Sequence, residues 1–195
     1  METRRRDPWS CFIAMLAVIV AITAASRPAA AQDESATPEP DPWGSLKLLA
    51  GSWEGAIEGK LGTGRGIRRY ELMGDAFLVC RHASVRLPQE KSPRGDQHEE
   101  LGVFSYDSER RTIVYREFFP MEGVVVRSPC AIDGMRVVCT AEAVESGSGI
   151  RARLTLEIVD RYRFKEVYEL AFPGQDLSVY FTNEWTRIPQ IEVLN

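Results

Sequence analysis

Histidine is scarce in this 195-residue chain, which contains only His82 and His98. Imidazole-based chemistry therefore has few places to reside, and no Gly-x-Ser-x-Gly turn or Walker loop takes its place. The glycine-rich stretch Gly62-Thr63-Gly64-Arg65-Gly66 is flanked by strand-like segments, so it reads as a hairpin loop rather than a phosphate cradle. Carboxylates are plentiful, but no spacing isolates an acid–base pair. A catalytic role is not expected. Positive charge is also in deficit, with a formal net charge of −4, which excludes a nucleic-acid binder working through a basic face. Long apolar runs are missing too. Phe12 to Ala25 is uncharged for 14 residues, short of the ~18–20 needed to span a bilayer.

That short run has another use. Arg4-Arg5-Arg6 precedes it and Ala29-Ala30-Ala31 follows it, the layout of a cleaved secretory signal over residues 1–31. Asp7 and Pro8 stand where a twin-arginine signal wants an apolar residue, and Cys11 lies ahead of the run, badly placed for lipidation. The expected product is an exported protein, periplasmic or secreted. Without residues 1–31 it carries 20 basic and 26 acidic side chains, a net charge of −6. Residues 32–41 are acidic and Pro-rich and read as a disordered leader.

Three cysteines remain: Cys80, Cys130 and Cys139. In an oxidising compartment an even subset pairs. Cys130 and Cys139 flank the turn dipeptide Asp133-Gly134. A four-residue loop from Asp133 to Arg136 sets Ile132 against Val137, Ala131 against Val138 and Cys130 against Cys139, within disulfide range. A register slipped by a two-residue loop would put Cys139 opposite Ser128 instead. Cys80 is left as a small buried hydrophobe.

The domain is expected over residues 42–190. Asp41-Pro42 suits a helix start, and Trp43, Leu46, Leu49 and Ala50 share one face, predicting a short N-terminal helix stopped by Gly51. From Trp53 onward the period is 2, with about ten strands separated by short turns. The fold class is therefore all-β: a single up-and-down antiparallel barrel, whose closure removes exposed edges.

Gly51-Ser52-Trp53 opening the first strand, with Arg187 ending the last, resembles the calycin superfamily of lipocalins and fatty-acid-binding proteins. Leu48 to Gly55, His98 to Asp107, and Tyr115-Arg116-Glu117-Phe118 with Glu122-Gly123 bring the likeness nearest to nitrobindin-like bacterial barrels. The resemblance implies that Trp53 closes one end of the barrel and that Arg187 packs across it. It also implies a haem cofactor held by a histidine near the C-terminal strand. No histidine follows His98 here, so that ligand is absent.

Candidate site residues come from polar side chains on strands. Arg116 shares a face with Val114 and Phe118, and Arg81 with Phe77, Val79 and Val85. Either would point inward if those apolar faces form the interior, offering a cation to a ligand carboxylate. His82 and Tyr180 are further candidates. Cys80 and His82 share a face, but no second ligand pair for a metal lies near in sequence. Three readings follow: a barrel binding a small apolar or acidic apolar molecule, a haem or metal redox protein, and a filled barrel acting through its surface.

Overall fold

Alternating side chains from Trp53 onward build a single closed antiparallel barrel. The computed structural model describes residues 41–90, 92–145 and 149–189, so the signal segment 1–31 and most of the acidic leader lie outside the described residues. The strands are β1 (Gly51–Gly59), β2 (Gly62–Met73), β3 (Phe77–Arg86), β4 (Asp96–Asp107), β5 (Thr112–Phe119) and β6 (Val124–Asp133). They continue as β7 (Arg136–Thr140), β8 (Ala143–Val144), β9 (Arg151–Asp160), β10 (Arg163–Ala171) and β11 (Ser178–Arg187). Sequence neighbours pair around the ring, β5 meets β6, β7 meets β9, and β1 closes on β11. The two-residue β8 pairs with β6 beside β7, so ten staves complete the wall. Among the described residues no helix is long and apolar enough to cross a membrane.

The expected N-terminal helix is only a 3-10 turn, Gly44–Leu49. Gly44 sits at φ +48°, a left-handed conformation that an α-helix cannot include. Leu46 and Leu49, three apart, are both fully buried, the spacing at which a 3-10 turn eclipses its side chains. Asp41 still serves the start, its Oδ1 accepting the Trp43 N–H at 3.1 Å.

This turn plugs one end of the barrel. Trp53 Nε1 donates to the Leu49 carbonyl at 2.7 Å, and Arg187 lies over the Trp53 ring, its guanidinium carbon 4.2 Å from the centroid. Arg187 Nη1 donates to the Ala50 carbonyl at 2.6 Å, while its other nitrogens reach the Leu48 and Arg161 carbonyls. Phe164 meets Trp53 edge-on at 4.8 Å. Leu78, Phe104, Ile113, Val137 and Ile158 complete the packing. Cys130 and Cys139 form a disulfide on the inward face, in the register Ile132–Val137 and Ala131–Val138. Cys80 is free and buried.

The stretch from Gly62 to Gly66 is strand rather than hairpin loop, paired with Gly59 to Gly55 across β1. Its glycines face inward. At Gly66 an added Cβ would stand 3.0 Å from His82 Nε2 and 3.1 Å from the Trp185 ring, so a hydrogen is what lets those rings cross the wall.

Candidate functional site

A polar layer lies across the middle of the barrel, above the apolar plug. Its centre is Arg68 on β2, 1% exposed, facing inward beside Trp53 in the β1–β2 register. Arg68 Nη1 donates to Glu166 Oε1 at 2.6 Å, and Nη2 lies 3.4 Å from Glu100 Oε2. Its guanidinium carbon sits 4.9 Å from the Trp185 ring centroid. Glu166 Oε2 also accepts from Asn183 Nδ2 at 2.7 Å and Trp185 Nε1 at 3.0 Å. Glu100 accepts the Tyr115 hydroxyl at 2.7 Å.

Buried ions of this kind persist only when matched charges and hydrogen bonds replace lost water. Burial alone would raise the Glu100 pKa, but Arg68 and the His82 contact outweigh it and hold the carboxyl at about 2. At Glu117 the pull of Arg68 is outweighed. Burial first, then the charges of Glu100 and Glu166, push its carboxyl well above the usual range, which favours the protonated form. His82 is shifted down by burial and by Arg68 against the pull of Glu100, which favours the neutral ring.

Beyond this layer the barrel is hollow. A cavity of about 480 Å³ opens at the end opposite the plug, within the ~300–1,000 Å³ typical of ligand pockets. Its apolar wall includes Ile57, Phe119, Val126, Ile150, Leu170 and Phe181. His82, Glu100, Glu117, Glu166 and Asn183 form the polar floor. The connection between β3 and β4, pinned by paired hydrogen bonds between Gln89 and Ser92, brings Ser92 and Gly95 to the cavity.

Of the residues singled out from sequence, His82 and Tyr180 line this cavity. Arg116 and Arg81 do not. Arg116 is half-buried on the outer face, with Nη1 donating to Ser105 Oγ at 2.7 Å. Arg81 is exposed. Both do share a face with the apolar residues named, but that face looks outward. The inward residues of β5 are Ile113, Tyr115, Glu117 and Phe119, and those of β3 are Leu78, Cys80, His82, Ser84 and Arg86. On these strands the inward face carries His82, Arg86 and Glu117, members of a polar layer within an otherwise apolar interior. Sequence reading missed Arg68, Glu100, Glu117, Glu166 and Asn183. Arg68 and Tyr70 fall in step with Trp53 once β1 and β2 are paired, a signal that needs the register first.

His82, His98 and Glu100 bring ligand atoms within 4.8 Å of one another. A zinc ion would need them all near 2.0–2.2 Å from its centre. Arg68 Nη2 lies 3.2 Å from His82 Nδ1 and 3.4 Å from Glu100 Oε2, so a fixed cation already occupies the electrostatic role of a metal. His82 Nε2 is turned to Gly66.

No family model and no curated protein matches the chain. Among solved structures, the crystal structure of Rv2717c from M. tuberculosis aligns at 15% identity with a TM-score of 0.57, covering 77% of this chain and 99% of that one. The redesigned β-barrel mFAP1, bound to DFHBI, aligns at 12% identity with a TM-score of 0.43, covering 73% and 98%. The related design mFAP0, also bound to DFHBI, gives 11% and 0.41, covering 72% and 99%. At such identities the likeness to Rv2717c speaks to the barrel fold alone.

Proposed function

We propose that this protein is a calycin-type carrier or sensor that holds a small, largely apolar molecule inside its barrel. The cavity of about 480 Å³ carries the reading. One end of the same barrel is packed solid, so the void at the other is a property of the residues there and not of the fold. Burying the apolar body of a ligand against the Phe119 and Phe181 side of the wall supplies the affinity, and the polar floor fixes orientation. A filled barrel acting only by surface contact fits this cavity poorly.

The acidic-ligand version loses its basis, because Arg116 and Arg81 lie outside. Haem is also the weaker reading. Its propionates would meet Asp96, Glu100, Glu117, Glu122 and Glu166, while the arginine among them, Arg86, is already paired with Asp96 at 2.6 Å. Export belongs to the proposal too, supported by the signal-like N-terminus and the Cys130–Cys139 disulfide; N-terminal sequencing of protein from its own cell should begin at Gln32.

The neutral dye Nile red tests the ligand reading. Micromolar binding with a blue-shifted emission is expected, weakened at least tenfold by Ala152→Phe, which fills the void. Native protein that leaves the dye unshifted, or a filled variant that binds it equally well, would sink the proposal.

A further inference from the structure

Charge is distributed unevenly around the cavity. Asp96, Glu100, Glu117, Glu122 and Glu166 line it against Arg86. Arg86 is engaged, its Nη1 donating to Asp96 Oδ2 at 2.6 Å while its Nε is left without an acceptor. Arg68 stands behind the floor and divides its charge between Glu166 and Glu100. Among the described residues, no cation is left over to meet an anionic ligand on that floor.

Arg68 Nε and Arg86 Nε are unpartnered donors, but each belongs to a guanidinium already matched to a carboxylate, and acceptors are left over as well. Asn183 is 1% exposed, and its Nδ2 donates to Glu166 at 2.7 Å. That bond fixes the amide orientation, since the reverse flip would set two acceptors face to face. Asn183 Oδ1 is then a buried acceptor with no partner. Glu117 is 3% exposed, and among the described residues its carboxyl has neither a hydrogen bond nor an ion pair. Unpaired buried polar atoms are costly unless something satisfies them. A ligand with donors would do so.

From this arrangement we propose that the ligand is an amphiphilic amine, bound as its ammonium ion with the nitrogen against Glu117 and the apolar body along the cavity wall. An ammonium group has three donors and no acceptor, matching what the floor lacks. Glu117 stays protonated beside the charges of Glu100 and Glu166 while the barrel is empty, and an entering ammonium would let it ionise; with all three acids ionised the site carries two more negative charges than Arg68 balances. A carboxylate head would enter against that field, and an alcohol would satisfy one acceptor at most.

This inference rests on the ligand-binding reading, and one competition experiment separates their failures. Decylamine, decanol and decanoate are titrated against protein-bound Nile red at pH 7, all below their micellar concentrations. The expected order is amine first by at least tenfold, then alcohol, then acid. Glu117→Gln, nearly isosteric, should bring the amine to within about twofold of decanol, the readout being the ratio of amine to decanol affinity within each protein. Decanoate matching or beating decylamine overturns the amine assignment while leaving ligand binding intact, and so does an amine preference that survives Glu117→Gln. Should that variant fail to fold, the order of the three ligands on native protein still decides. If neither dye nor decylamine binds, the latter followed by calorimetry, both readings fall.

Discussion

The two ends of this barrel are built from the same strands yet handle their interior in opposite ways. At the plugged end Trp53, Phe164, Leu46 and Leu49 fill the space completely, and Arg187 seals it by donating to carbonyls of the 3-10 turn. At the other end the same alternation lines a void, and large side chains give way to a rim that includes Ser84, Ser92 and Gly95. Between them lies the ionic layer around Arg68. A protein selected for stability alone would fill both ends. The hollow end, with a costly charged floor beneath it, is where function is to be sought.

Substitutions at three depths should break that contrast in order of size. Arg68→Met leaves Glu166 and Glu100 without their buried counter-ion and should cost ~3–5 kcal/mol, measured by urea unfolding. Trp53→Ala at the plug should cost about as much, ~3–5 kcal/mol, whereas Tyr180→Ala at the half-buried rim should cost under ~1 kcal/mol. Equal losses at Trp53 and Tyr180 would erase the distinction between packed and hollow ends. Replacing both Cys130 and Cys139 by Ser should cost ~2–3 kcal/mol, without altering Nile red affinity.

The smallest effect is a pH dependence. Glu117 has its folded pKa raised above the unfolded value near 4.5. Its contribution to stability is thus present below that pH and lost as pH rises through the folded value. Glu100 has the opposite sign, with a folded pKa of about 2, so its contribution is present above about pH 4.5 and lost as pH falls towards 2. Native protein should weaken above pH 5 relative to Glu117→Gln, which cannot ionise. Parallel stability curves for the two proteins between pH 5 and 8 would refute the assignment of a buried, uncompensated Glu117.

The plug was legible in the sequence because its signals are local. Trp53 starts a clean alternation, with Glu54 and Glu58 exposed and Ile57 buried, and the Cys130–Cys139 register follows from centring the turn on Gly134 and Met135, although Asp133 and Arg136 pair and only Gly134 and Met135 form the loop. The hollow end was not legible for a specific reason. On β3 the outward residues Phe77, Val79 and Val85 are more apolar than inward His82, Ser84 and Arg86. On β5 the inward set contains Glu117, and on β2 Ile67 is 60% exposed while Arg68 is buried. Hydropathy assigns the greasier face to the inside, and a barrel with an ionic middle reverses that rule. Inward glycines were the better marker. Gly55, Gly66 and Gly102 sit where the rings of Trp185 and Tyr115 cross the wall.

The seal between Trp53 and Arg187 also decides geography. These residues come from the first and last strands and pair directly across the closing seam, so the domain begins and finishes at the plugged end. An attachment made directly beside Gly51 or Arg187 therefore starts on the side away from the cavity opening. A short linker joining those two positions, with new termini cut elsewhere, would cross only the plugged end.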